Sequence, residues 1–187
     1  MTRARAAVFA SGTGSNFEAI MNAGELNCDI TLLVCDKPGA TVIKKAEAFH
    51  VSTFVFDAKT YESKAVYEQE IVEKLQAENI EWVFLAGYMR IVGPTFLNAY
   101  EGRIINIHPS LLPDFPGKDA IGDAFRAGVK ETGVTIHYVD EGIDTGPIIA
   151  QEKVLVKEDD TLDTLKNRIH QVEHQLYPRV IRQLTTK

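Results

Sequence analysis

The stretch RIINIHPSLLPDFPG, residues 103–117, gathers residue types that can stabilise developing charge. An apolar run ends in Asn106-Ile107-His108 and passes at once into Pro109 and a proline-rich loop. Residues two apart on a strand project to one face, so Asn106 and His108 point together. A histidine at a strand end is more often structural than catalytic. The paired asparagine, the place at the end of a parallel strand and the following proline shift the reading toward chemistry. An imidazolium beside an asparagine amide forms a donor pair aimed at one oxygen, as an oxyanion requires. A nearby carboxylate would favour the imidazolium and allow proton exchange. VDEGIDTGPI, residues 139–148, offers Asp140, Glu141 and Asp144 on a glycine-flanked loop. No serine or cysteine is placed as a nucleophile, and His108, His137 and the acidic residues lack metal-ligand spacing. Direct acyl transfer to a substrate nucleophile fits this set better than covalent catalysis.

A second candidate is FASGTGSN, residues 9–16, where an apolar strand enters a loop of two glycines, a serine and an asparagine. A strand, a glycine turn and a helix present unpaired N–H groups and a positive helix end to an anion. Gly12, Gly14 and Ser15 would form the turn, with Ser15 or Asn16 near the N-cap. The dinucleotide fingerprint needs a third glycine where Phe17 stands, and an acidic residue near the end of the second strand, which Asp36 partly supplies. The triphosphate-binding loop fails, because no G-K-[ST] follows. Binding of a single phosphate and a tight turn without a ligand both remain open from the loop alone.

These residues need a scaffold that ends strands in register. Apolar runs at 6–10, 30–35, 52–56, 82–86 and 104–107 read as buried strands, and the segments 15–23, 40–50 and 61–79 between them as helices. Tyr67, Ile71 and Leu75 share one helical face. Such alternation implies a parallel sheet with helices on both faces. The second half differs: residues 132–156 read as two strands around a loop. Val134, Ile136 and Tyr138 lie on one face, and Thr135, His137 and Val139 on the other. A closing helix is expected over 161–183, with a kink or displaced last turns at Pro178. The expected fold is one α/β domain: a mostly parallel twisted sheet of about seven strands, antiparallel in its C-terminal part, with a Rossmann-like N-terminal half.

At 187 residues the chain suits a single domain, and its 45% hydrophobic and 25% charged content is ordinary for a globular protein. A net charge of -6 argues against a general nucleic-acid binder. Cys28 and Cys35 offer no disulfide framework and are expected as buried free thiols. The five residues before the first apolar run are too few for a signal peptide, and no run suits a membrane span, so a cytoplasmic location is expected.

The blocks FASGTGSN, LAGYMRIVGP, NIHPSLLP, HYVDEGIDTGPII and EHQLYP, in this order and spacing, resemble the folate-dependent phosphoribosylglycinamide formyltransferases of purine biosynthesis. The resemblance runs from about Ala7 to the end of the chain. It implies a single formyltransferase domain over 1–187, with a phosphate-substrate half (1–100) and a catalytic and folate half (101–187). It implies formyl transfer from 10-formyltetrahydrofolate to the amine of glycinamide ribonucleotide without a metal, by the trio Asn106, His108 and Asp144. It also implies phosphate and ribose contacts from Gly12, Thr13, Gly14, Ser15, Asn16, Lys64, His170 and Glu173. His170 stands where a longer polar side chain is usual. Folate contacts would come from Tyr88, Met89, Arg90, Ile91, Val92, Leu97, Val139, Asp140, Glu141, Gly142 and Ile143, with Thr135 and His137 in support. No chemistry is assigned to Lys118 or Asp119.

Other readings are a formyltetrahydrofolate deformylase, a methionyl-tRNA formyltransferase and a nucleotide-binding module without catalysis. The first two would be expected to carry an additional domain, and the tRNA enzyme a basic surface. The third would leave Asn106, His108 and Asp144 unexplained. The expected partners are the two small-molecule substrates, with no nucleic acid or membrane, and the expected state is a monomer or weak homodimer.

Overall fold

Alternation along one strand organises the whole molecule. In β1 (Ala4–Ala10), Ala6, Val8 and Ala10 belong to one apolar core, and Ala7 and Phe9 to another on the opposite face of the sheet. A strand with both faces covered must be apolar throughout, which is why this segment reads as a continuous run rather than an alternating one. The computed structural model describes residues 2–186.

Beside β1 lie β2 (Cys28–Cys35), β3 (Ser52–Val55), β4 (Trp82–Leu85), β5 (Ile104–His108), β6 (Glu131–Tyr138) and β7 (Ile148–Leu155). They form one seven-stranded sheet in the order β3-β2-β1-β4-β5-β6-β7. The pairs from β3 through β5 are parallel, and β6 is antiparallel to both its neighbours. The mostly parallel sheet with an antiparallel C-terminal part therefore stands as expected. Strands β1 and β2 begin earlier than their apolar runs because Ala4 pairs with Cys28, and pairing rather than hydrophobicity sets the end.

One face carries α1 (Ser15–Asn22), α2 (Thr41–Ala48) and the long α6 (Leu162–Thr185), through Phe17, Ile20, Val42, Ala46, Leu165, Ile169 and Leu176. The other carries α3 (Lys64–Ala77), whose Tyr67, Ile71 and Leu75 pack on the sheet as their spacing requires. Two helices escaped the sequence reading. The first, α4 (Pro94–Ala99), has six residues and starts on a proline at a position where the missing N–H costs nothing. The second, α5 (Ala120–Ala127), has eight. The first spans fewer than two turns, too few to display a helical period.

Helix α6 runs as one element through Pro178. Leu176, Tyr177, Val180 and Ile181 are buried on the sheet around it, and Tyr177 donates its hydroxyl to the carbonyls of Leu85 (2.8 Å) and Ile105 (3.2 Å). This anchoring offsets the single backbone bond that proline removes. At its start Thr161 and Thr164 cap one another reciprocally. Both cysteines are free and buried, and burial raises the Cys28 thiol to about 11.

Strand order reverses at β1, with β2 on one side and β4 on the other. In open α/β sheets ligands bind in the crevice at such a switch point. Here Ser11, just beyond β1, donates its N–H across the crevice to the Gly87 carbonyl beyond β4 (3.0 Å).

Candidate active site

A cavity of about 520 Å³ opens at this switch point and extends along the ends of β4, β5 and β6. That volume lies in the range of small-molecule sites. The glycine loop, the segment after β4, the end of β5 and the β6–β7 loop all line it.

At one end, Gly14 caps α1 with φ 74°, a left-handed conformation that glycine adopts without steric cost. A Cβ at Gly14 would also enter the Val42 side chain, so the loop packs tightly on α2. No side chain caps α1. Its first N–H groups have no acceptor within the helix, as an anion site requires. Gly12, Thr13, Gly14, Ser15 and Asn16 all line the cavity here, joined by His170 and Glu173 from α6. Glu173 is buried and accepts from His170 Nδ1 (2.7 Å) and Asn16 Nδ2 (3.2 Å). The hydrogen bond to Glu173 raises the His170 pKa, against the opposing effect of burial. The Asn16 Oδ1 atom is buried without a partner.

At the other end, Ile105 and Ile107 of β5 face the α1/α2/α6 core, so Asn106 and His108 face the opposite side. In the antiparallel register Asn106 lies opposite His137 and His108 opposite Thr135, which puts all four on one face. The expected parity of β5 and β6 is therefore present. His137 Nδ1 donates to the Tyr138 carbonyl (2.8 Å), since a carbonyl can only accept. Burial lowers the His137 pKa, which favours the neutral ring. Its Nε2 then accepts from Asn106 Nδ2 at 3.3 Å and fixes the orientation of that amide.

His108 is buried and donates Nε2–H to the Phe115 carbonyl (2.9 Å). Its Nδ1 is left facing the Asp144 carboxylate at 3.6 Å. Asp144 sits in a left-handed conformation (φ 55°), which aspartate tolerates better than most residues. Its Oδ2 accepts the Gly117 N–H (2.9 Å), and its Oδ1 lies 3.9 Å from His137 Nε2. One carboxylate thus stands between two imidazoles and joins the loop after β5 to the loop after β6. Thr135 lies behind this surface. Its hydroxyl donates to the Ser110 carbonyl (2.6 Å) and accepts from Leu112 N–H (3.1 Å) and Gln151 Nε2 (2.9 Å), so it holds the 110–112 segment against the sheet.

Between the two ends, Tyr88, Met89, Arg90, Ile91 and Val92 form one wall, with Val139, Asp140, Gly142 and Ile143 across from them. Met89, Ile91 and Ile143 are each more than half exposed, so this wall offers apolar surface to a ligand. Asp140 Oδ1 accepts from Gly142 N–H (3.0 Å) and Thr145 Oγ1 (2.6 Å), which closes the turn on itself.

Four anticipated residues stand apart from the cavity lining: the supporting Thr135 already described, and Lys64, Leu97 and Glu141. Lys64 donates its ammonium to the Ile91 carbonyl (2.8 Å), beside the apolar wall rather than the glycine loop. Leu97 packs into the core beneath α4, and Glu141 points to solvent. Other residues reach the cavity without having been assigned a part, among them Ser11, Lys37, Gly117 and Lys118. The position of Lys37 just beyond the end of β2 was the available signal for it. Asp36, which partly supplies the acidic residue of a dinucleotide fingerprint, is buried and engaged by Ser11 and Arg90. Among the described residues no cluster of three or more His, Cys, Asp or Glu could hold a metal, and no helix is long and apolar enough to cross a membrane.

A switch-point cavity with a strand-end Asn-x-His facing an aspartate defines the class. Residues 4–181 match the formyl transferase family, and the chain belongs to it. Its individual relatives are more specific. A phosphoribosylglycinamide formyltransferase of Bacillus subtilis is 61% identical over 181 residues, covering 95% of this chain and 93% of that one. Among solved structures, glycinamide ribonucleotide transformylase 1 from Geobacillus kaustophilus is 59% identical with a TM-score of 0.97, covering 98% of this chain and all of the other. The phosphoribosylglycinamide formyltransferase from Bacillus halodurans is 57% identical with a TM-score of 0.95, covering 98% and 96%.

Proposed function

We propose that the protein transfers the formyl group of 10-formyltetrahydrofolate to the amine of glycinamide ribonucleotide, giving formylglycinamide ribonucleotide and tetrahydrofolate. The observation that carries this reading is that a helix N-terminus without a side-chain cap and the Asn106–His108–Asp144 group open into one cavity. The phosphate is held by the N–H groups at Gly14, Ser15 and Asn16, and the ribose by Glu173 and Asn16. The donor's pterin lies between the 88–92 wall and the 139–143 segment, which brings the formyl carbon to the end of β5.

The neutral amine attacks the formyl carbon, and a C–N bond forms as the carbonyl becomes an oxyanion. Asn106 Nδ2–H and a protonated His108, through Nδ1–H, donate to that oxygen. Their N–H groups are already oriented by His137 and by the Phe115 carbonyl, so little reorganisation accompanies charge development. The attacking nitrogen loses a proton to Asp144, directly or through water. That proton passes to the folate nitrogen as its bond to the formyl carbon breaks. The oxyanion collapses to the new formamide, and Asn106, His108 and Asp144 return unchanged.

The test supplies 10-formyltetrahydrofolate with and without glycinamide ribonucleotide and follows both products. Tetrahydrofolate and formylated amine should appear one for one, and neither without the acceptor. Release of tetrahydrofolate at the same rate without the acceptor would replace this reading with hydrolysis by the same trio.

A further inference from the structure

One buried carboxylate has no part in the chemistry above. Asp36 follows β2 directly, and its side chain is 1% exposed. One oxygen accepts from Ser11 Oγ (2.5 Å) and the other from Arg90 Nε (2.8 Å). The Ser11 hydroxyl, having given its proton to Asp36, accepts the Met89 N–H (2.9 Å). Ser11 immediately precedes the glycine loop, and Met89 and Arg90 belong to the apolar wall. The carboxylate is therefore the joint between the ends of β1, β2 and β4, which are adjacent in the sheet. Arg90 also lies over the Tyr67 ring, 5.9 Å from its centroid, which braces the guanidinium from α3.

Both carboxylate oxygens are occupied by protein donors, so Asp36 is not available to a ligand. Burial of a charge is costly unless it is paired and hydrogen-bonded, and Asp36 meets both conditions with one partner from each substrate-binding segment. We infer that Asp36 is a positioning residue for formyl transfer: through Ser11 and Arg90 it sets the spacing between the glycine loop and the 88–92 wall, and with it the approach of the amine to the formyl carbon. This inference rests on the reading under Proposed function. A spacing error matters when both substrates are bound, because reacting atoms misplaced by about 1 Å can cost ~10²-fold in rate. Each substrate alone still finds its own segment.

The test uses Asp36→Asn and Ser11→Ala in the full chain. Asparagine can accept from Ser11 but presents either a neutral oxygen or an N–H to Arg90, so the ion pair is lost. Ser11→Ala keeps that ion pair and removes the link to Met89. Either variant should lower the saturating single-turnover rate ~10–10²-fold, while the dissociation constant of each substrate alone stays within about threefold. Because the two residues share one network, the double variant should be no more than about twofold slower than the slower single. An unchanged saturating rate in both singles would overturn the proposal. So would fully multiplicative losses in the double, or losses confined to the dissociation constants. If Asp36→Asn does not fold, the decision passes to Ser11→Ala, whose rate is read per folded molecule after thermal melting. Failure of the wild-type protein to transfer formyl at all would instead strike the functional reading, so the two failures are distinct.

Discussion

The two ends of the cavity are built from different materials. The glycine-loop end is mostly backbone: a helix N-terminus with no side-chain cap, shaped by the left-handed Gly14 and its contact with Val42. The β5–β6 end is made of side chains, each held by a further group: Asn106 by His137, His108 by Phe115, and Asp144 by Gly117. Backbone donors hold a formal charge that does not change during the reaction. Side chains that can gain, lose or share a proton serve an atom whose charge does change. On the proposed function, binding and transformation are separated within one cavity, and substitutions at the two ends should differ in kind.

The sharpest break comes from removing an oxyanion donor. Asn106→Ala should lower the saturating rate ~10²–10³-fold with near-normal donor binding, measured by single turnover and titration. Asp144→Asn comes next. Asparagine also tolerates the left-handed backbone at this position, so the loop is kept and the carboxylate facing His108 is lost. A loss of ~10²-fold in rate is expected, within the range typical of removing a proton-transfer group, and a loss confined to KM would contradict the role given to it.

His137→Ala removes the acceptor that orients Asn106 and should cost about tenfold in rate, the worth of one hydrogen bond near 1.4 kcal/mol. His137→Gln, which can still accept from Asn106, should recover part of that loss. The smallest effect belongs to the glycine-loop end. The Glu173 hydrogen bond raises the His170 pKa, so the imidazolium persists to higher pH than an unperturbed histidine. Affinity for a phosphate-bearing substrate should fall about two- to fivefold as pH rises through that raised value, comparable to a half-exposed ion pair. In His170→Gln this dependence should disappear from KM measured across pH 6–9. A slope retained in that variant would place the titrating group elsewhere.

Legibility in the sequence followed the same division. Asn106 and His108 could be placed from strand parity alone, because a residue's face in β5 depends on nothing distant. The mostly parallel character of the sheet followed from alternation of apolar runs and helices, whereas the order β3-β2-β1-β4-β5-β6-β7 came only with the structure. Asp144 could be chosen over Asp140 and Glu141 only through the family resemblance. Its place depends on a left-handed backbone and on the Gly117 N–H from another loop, and neither has a local signature. Lys64 was taken toward the phosphate, yet its ammonium rests on the Ile91 carbonyl, 27 residues away in sequence. Asp36 looked like part of a dinucleotide motif because it ends the second strand, and only the fold shows that Ser11 and Arg90 already occupy it. Helix α4 was missed because six residues span too few turns to show a period, and α5, though as long as α1 and α2, was not read from the sequence.

The separation of duties is tested most directly by measuring Gly14→Ala and His108→Ala side by side, reading acceptor dissociation constant and saturating single-turnover rate for each. Gly14→Ala disturbs a positive-φ glycine packed on Val42 at the anion end. It should weaken acceptor binding at least ~10-fold and leave the saturating rate within a few-fold of wild type, as loss of uniform binding does. His108→Ala should bind acceptor normally and lose ~10²–10³-fold in rate. A His108→Ala variant that turns over normally, or a Gly14→Ala variant that binds the acceptor as tightly as wild type, would contradict the assignment of binding to one end and transfer to the other.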